Sequence, residues 1–377
     1  MHSVLEAENF ELGKLVTFIP NKKYPVYNWF HFKEGFSRDF VLMMIDHFMI
    51  RKNRWILDPF CGVGTTLLAS RERGINSVGV DVMPLAIFVS QVKVAEYDVE
   101  KLKAASRNVF AERFVRTDVT NVSSLVRRSF TKYALEDILF FRNVVGKIED
   151  PIIRNFFILA LMISSEHVSY AYKDGAVLKI RRRQHVPPFR PVFKRVVKKM
   201  INDVKRFKDG KALIKIVEGD ARNLDFLEDS SFDAIITSPP YLNIIDYAKV
   251  YALENELFIR SANAKGLRSY IGLNVNDIGT EFSDMDVPPI GKAYFRDMKR
   301  VLLEGYRVLK DGGNIALVVG EGVFPDRIIP VHLILSGISQ DIGFTVEKIL
   351  HVNRRTVTDH QRHKIGSALE SILFLRK

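Results

Sequence analysis

The residues of this 377-residue chain best suited to chemistry sit in short polar groups, each directly behind an apolar run. Thr237-Ser238-Pro239-Pro240-Tyr241 follows the run 232–236, which reads as a buried strand. Paired prolines end a strand, because proline lacks an amide donor and holds the residue before it extended. A hydroxyl, two backbone carbonyls and an aromatic face are thereby gathered at the strand's carboxyl end, where open α/β sheets bind ligands. Such a group suits a flat, amine-bearing ring, with oxygens accepting the amine hydrogens while Tyr241 stacks. The same residues also fit a plain strand-ending turn with a packed tyrosine.

A second group, Asp58-Pro59-Phe60-Cys61-Gly62-Val63-Gly64-Thr65-Thr66, lies between a strand at 55–57 and a helix continuing through 67–69. Glycines in such a turn let the backbone approach a nucleotide-like cofactor, and the free amides of the helix start face it. The third glycine of the dinucleotide fingerprint is missing. Asp58 inside the turn suits a cationic amino-acid group better than a pyrophosphate. Asp81 ends the next strand, 77–80, about 20 residues beyond the glycines, where an acid binds ribose hydroxyls. Its alternative reading is a helix-starting Asp ahead of Pro84. Asp220 and Ala221 lie past a strand at 215–217, and an acid there can accept an adenine amino hydrogen.

The composition sets the limits around these groups. With 47% hydrophobic and 27% charged residues the chain is of the soluble globular type and long enough for two or three domains. No run approaches the ~18 apolar residues of a membrane span. The start resembles no signal peptide, and a cytoplasmic protein is expected. The single cysteine, Cys61, excludes an internal disulfide and any multi-cysteine metal site; no metal is expected. The net charge of +12 is concentrated: residues 179–215 hold 14 Lys and Arg against Asp203 and Asp209, itself a net of +12. Arg181, Arg182, Arg183, Lys194, Arg195, Lys198 and Lys199 are the expected contacts to a phosphate backbone. Tyr170, Tyr172, Phe189 and Phe193 flank them, as on nucleic-acid surfaces. A solvated helix face over a local aromatic core is the competing reading.

The order of elements is α/β. Residues 1–54 form an aromatic leading segment with a helix over 36–50 capped by Ser37. Residues 55–99 and 212–377 form the sheet domain, and 100–211 a helical, basic insert, the region from 86 to about 200 reading as mostly helical. Further helices are expected over 247–259, over 298–309 closed by Lys310-Asp311-Gly312-Gly313, and over 328–338, with a loop-rich stretch at 261–290. A strand at 315–319 and a final pair at 344–352 and 372–375 complete the pattern.

Taken in order, the Asp58 to Thr65 turn, Asp81, Asp220 and the Ser-Pro-Pro-Tyr turn resemble the motifs of S-adenosylmethionine-dependent amino-methyltransferases, specifically the N4-cytosine branch that includes DNA modification methylases. His31-Phe32-Lys33-Glu34-Gly35-Phe36-Ser37 resembles the N-terminal element that closes over the methionine end of the cofactor. The resemblance covers about two thirds of the chain and leaves out 100–210. It implies a Rossmann-like class I methyltransferase sheet and S-adenosyl-L-methionine as cofactor. Lys33, Phe36, Asp58, Pro59, Phe60, Gly62, Gly64 and Thr65 would then border the methionine part, Asp81 the ribose, and Asp220 and Ala221 the adenine. Ser238, Pro239, Pro240 and Tyr241 would hold the target base. The position and basic, helical character of the insert favour structured RNA such as ribosomal RNA over DNA. Similar Pro-Pro-Tyr turns serve adenine N6 and guanine N2 amines, and a non-catalytic nucleic-acid-binding protein on the same fold is the alternative from another class.

Overall fold

The computed structural model describes residues 5–32, 35–174, 177–242, 247–259, 271–272, 274–275, 282, 284–358 and 364–377. Strands, numbered along the chain, are β1 (Glu6–Glu8), β2 (Trp55–Asp58), β3 (Asn76–Asp81), β4 (Ala171–Asp174), β5 (Val177–Ile180), β6 (Ile214–Glu218), β7 (Phe232–Thr237), β8 (Leu309–Gly320), β9 (Gly322–Val323), β10 (Ile328–Ile329), β11 (Thr345–Thr358) and β12 (Lys364–Arg376). Helices are α1 (Arg38–His47), α2 (Thr65–Glu72), α3 (Pro84–Val94), α4 (Val99–Ala111), α5 (Ser124–Ser129), α6 (Lys132–Gly146), α7 (Pro151–Val168), α8 (Phe189–Arg206), the short α9 (Tyr247–Val250) and α10 (Ala252–Glu254), α11 (Pro289–Val308) and α12 (Val331–Ile342).

The main sheet runs β1-β11-β12-β8-β7-β2-β3-β6. From β8 to β6 all neighbours are parallel, whereas β12 is antiparallel to both β8 and β11. The chain moves outward one way through β2, β3 and β6, then returns to β7 and moves outward the other way. This is a Rossmann-like class I methyltransferase sheet, with the topological switch point between β2 and β7.

Period-two alternation builds the two faces. Leu57, Ile235, Ile315, Leu317 and Val319 pack under α11 and α12. Their neighbours Ile56, Ala234, Ile236, Ala316 and Val318 pack under α1. Helix starts follow local chemistry: Ser37 Oγ accepts from the Phe40 amide at the head of α1, and Asp150 accepts from Ile152 and Ile153 ahead of α7, whose first residue is Pro151. In α8 the buried residues Val192, Phe193, Val196, Val197, Met200 and Ile201 recur at helical spacing.

Helices α4 to α8 share one buried cluster with α3 and with Trp29 and Phe30 of the leading segment. Trp29 Nε1 donates to Asp203 Oδ2 at 3.1 Å, tying that segment to α8. The helical reading of 86–200 misses the β4–β5 hairpin, four residues on each side. Two other expectations shift. Helix α11 begins at Pro289, so proline at the first turn, not Met298, starts it. Lys310-Asp311-Gly312-Gly313 lies within β8 rather than closing the helix, which ends at Val308. The last helix runs 331–342 instead of 328–338, and the final strands are longer than the apolar runs that announced them. Most of 261–290 lies outside the described residues.

Candidate active site

Parallel register brings the strand ends together. Asp58 pairs with Gly79, Asp81 with Glu218 and Thr237 with Leu317, so β2, β3, β6, β7 and β8 all finish at one edge. A cavity of about 330 Å³ opens there, at the switch point. Phe36, Asp58, Pro59, Phe60, Gly62, Thr65, Asp81, Asp220, Ala221, Ser238, Pro239, Pro240 and Tyr241 all line it. Gly64 does not line it but caps α2, and Lys33 lies outside the described residues. Gly62 and Gly64 have φ of 48° and 78°, a left-handed turn that side chains resist.

Asp58 is 2% exposed and fully engaged. Its Oδ1 accepts from the Phe60 amide at 3.2 Å and from Thr237 Oγ1 at 2.7 Å, and its Oδ2 from Thr66 Oγ1 at 2.5 Å. One carboxylate thus joins the glycine turn, the first turn of α2 and the end of β7. Asp81 accepts from the Gly62 amide (Oδ2, 2.9 Å) and the Met83 amide (Oδ1, 2.9 Å). Burial raises both carboxyls to about 6, against the hydrogen bonds that lower them. Among the described residues no cationic side chain pairs with either. Asp220 differs: burial raises its pKa, but the stronger combined effect of Arg222 holds it below the usual range. Arg222 grips Asp220 through Nε and Nη2 and reaches the fully buried Asp297 through Nη1 at 2.9 Å.

The opposite wall is the Pro-Pro-Tyr turn. The Tyr241 hydroxyl donates to Glu370 Oε1 at 2.5 Å, and Glu370, across the sheet from Gly320, lines the cavity with Arg355. The Tyr241 ring lies so close to Gly320 that a Cβ there would stand 2.6 Å from two ring carbons. Gly320 is therefore the space into which the ring fits. Burial raises the Glu370 pKa, partly offset by Tyr241 and Asn353.

The leading segment adds Val16, Thr17, Phe32 and Gly35 to the enclosure. Phe32 stacks on Tyr251 at 5.5 Å, and Lys173 of β4 sits 4.2 Å above that ring. The hairpin of the helical region therefore abuts the cavity wall.

Arg181, Arg182, Arg183, Lys194, Arg195, Lys198 and Lys199 are exposed. Four of them, Lys194 to Lys199, share the outer face of α8, opposite its buried face. Lys199 is committed within the chain, its Nζ donating to Asp203 Oδ2 and Asn28 Oδ1. Of the flanking aromatics, Phe189 and Phe193 are core and stack together; Tyr172 is exposed. Sequence reasoning missed Glu370, Arg355, Gly320 and Arg222. Only Arg222 carried a local signal, a base two residues after an acid; the others meet the cavity through strand pairing.

A family model of N6 and N4 methyltransferases, described as DNA methylase, matches residues 16–90. The type II methyltransferase M.BsoBI of Geobacillus stearothermophilus is 27% identical over 96% of this chain and 87% of its own length. The type II methyltransferase M.AvaI of Nostoc sp. is 28% identical over 89% and 83%. Among solved structures, a S-adenosylmethionine-dependent methyltransferase from Methanosarcina mazei covers 88% of this chain and 96% of its own at 12% identity and a TM-score of 0.32, a likeness too distant to carry an argument. With its fold, the family match and these relatives the chain is of the S-adenosylmethionine-dependent methyltransferase class, with S-adenosylmethionine as cofactor. Within that class the chain is N6/N4 DNA-methylase-like. The expected preference for ribosomal RNA finds no support among these relatives. No helix of the described residues is long and apolar enough to cross a membrane.

Proposed function

We propose that the chain methylates the exocyclic N4 amine of cytosine in DNA. The observation that carries this reading is that Ser238, Pro239, Pro240 and Tyr241 face the same cavity as Asp58, Asp81 and Asp220. S-adenosylmethionine, when bound, supplies an electrophilic methyl group on a sulfonium centre. Asp58, buried, and Asp81, partly buried, have no cationic partner among the described residues and fit a ligand that brings its own positive charge. In this reading Asp81 accepts from the ribose hydroxyls and Asp220 from the adenine amine, the Arg222 guanidinium favouring the ionised form of Asp220.

On the other wall, the Ser238 hydroxyl and the Pro239 carbonyl accept the two amine hydrogens of the target base. Cytosine N4 is a poor nucleophile while its lone pair is delocalised into the ring. Accepting both hydrogens favours a pyramidal nitrogen with its lone pair directed across the cavity, and alignment supplies much of the remaining rate. Tyr241, fixed by Glu370 and Gly320, offers a ring face for the base. A paired base must leave its stack to reach this depth.

DNA is favoured over RNA by the family description and by the type II relatives. Arg181 to Arg183 and the outer face of α8 would hold phosphates without reading sequence. Strand β5, which leads into those arginines, packs against α9, a few residues beyond Tyr241. The test is digestion to nucleosides, followed by mass spectrometry, after reaction with isotopically labelled cofactor and either duplex DNA or folded RNA. Labelled N4-methylcytosine from DNA is expected. Label confined to RNA, or found only in N6-methyladenine, overturns the proposal.

A further inference from the structure

Outside the cavity, three residues far apart in sequence meet at the β11 edge of the sheet. One ring nitrogen each of His332 (α12) and His351 (β11) and one carboxylate oxygen of Glu6 (β1) lie within 4.8 Å of one another. Both histidines are buried, 4% and 5% exposed, with rings edge to face at 5.1 Å. Ser371 Oγ lies 2.9 Å from His351 Nδ1, orienting the ring so that Nε2 faces Glu6 Oε2 at 3.1 Å. His332 Nδ1 is buried without a hydrogen-bond partner, and Glu321 Oε1 stands 3.6 Å from it, beyond hydrogen-bond reach.

We propose that His332, His351 and Glu6 bind a divalent transition-metal ion of the zinc type. Two imidazoles and a carboxylate are a zinc donor set, and an ion between them requires each group to close by under ~1 Å. The Ser371 contact to His351 is the outer support that metal-ligating histidines ordinarily have, fixing which nitrogen faces the ion. Glu6, half exposed, leaves a route from solvent. Without an ion, His351 can still be satisfied, accepting from Ser371 and donating to Glu6. His332 Nδ1 has no hydrogen-bond partner as it stands, and buried polar atoms rarely stay unpartnered. The consequence is a clasp. Strand β1 has three residues and, among the described residues, pairs with β11 alone. The chain runs on from it to Val16 and Thr17 at the cavity wall, so an ion here would pin the start of that wall to the sheet.

The test uses the full chain stripped with a chelator and then titrated with zinc or cobalt(II). Zinc should be retained through gel filtration in an equimolar amount and raise the melting temperature. Cobalt should give visible absorption bands that zinc abolishes. Glu6→Gln and His332→Gln should each weaken zinc binding by at least ~10-fold, since even outer-shell losses cost that much. Should His332→Gln fail to fold, Glu6→Gln, at a half-exposed position, decides the matter. Substoichiometric zinc in the wild type, or a Glu6→Gln variant that binds as tightly as wild type, overturns the proposal.

Discussion

Along β2 and β3 the cavity is walled by carboxylates that the protein itself already holds, through backbone amides and threonine hydroxyls. Along β7, β8 and β12 it is walled by a tyrosine ring seated on a glycine and hydrogen-bonded to Glu370. The first wall has no cationic side chain paired with its two acids among the described residues; the second offers an aromatic face beside the Ser238 hydroxyl and the Pro239 carbonyl. A cation-bearing cofactor and a flat neutral base call for just these two surfaces. In this reading the parallel half of the sheet sets cofactor affinity, and the boundary with the antiparallel half sets turnover on the base.

Removing the centre of the first wall should have the largest effect. Asp58→Ala leaves two threonine hydroxyls and the Phe60 amide without their acceptor, in a site 2% exposed. A stability loss of about 3 kcal/mol in urea unfolding, together with loss of measurable cofactor binding in calorimetry, is expected. A variant as stable as wild type would mean the carboxylate is no hub.

Gly320→Ala probes the other wall, because the added methyl displaces the Tyr241 ring. Turnover should fall by up to ~10²-fold, while cofactor affinity is unchanged. Equal losses of both would erase the distinction between the walls.

The pH dependence sharpens it further. Asp58 and Asp81 are raised from 3.8 to about 6, so between these values the folded chain holds protons that the unfolded chain has released. Stability of the cofactor-free chain therefore falls as pH rises from about 4 to 6 and levels off above. A cationic ligand favours the ionised acids, so cofactor affinity should rise across the same window. Melting curves with and without cofactor from pH 4 to 8 check the sign; an affinity that falls with rising pH would put the positive charge elsewhere.

The smallest effect belongs to the exposed arginines. Neutralising Arg181 to Arg183 should leave cofactor affinity alone and flatten the log–log salt dependence of DNA binding by roughly 0.9 for each phosphate that is no longer neutralised. Identical slopes would make those residues a solvated face.

The two walls were not equally legible. Asp58, Asp81, Asp220 and Ser238 each follow their own strand, so a local pattern of apolar run and polar turn was enough to place all four at one edge. Glu370 and Gly320 are 50 residues apart in sequence and act only because β12 pairs antiparallel with β8. No local pattern announces that. The β4–β5 hairpin was hidden for another reason: four residues of alternation on each side are too few to stand out between α7 and α8. Charge was legible in sign but not in use, as Lys199, exposed like its neighbours, is paired with Asp203 and Asn28 of its own chain.

The division of labour is tested most directly by Ser238→Ala, with cofactor affinity measured by calorimetry and methyl transfer to DNA measured in a single turnover. Ser238 lines the shared cavity on the base side, and one transition-state hydrogen bond is worth roughly 3 kcal/mol. Wild-type cofactor affinity with a transfer rate lowered ~10²-fold is the predicted result. An unchanged transfer rate, or a loss of cofactor binding that accounts for the whole defect, would contradict the assignment of this turn to the reacting amine.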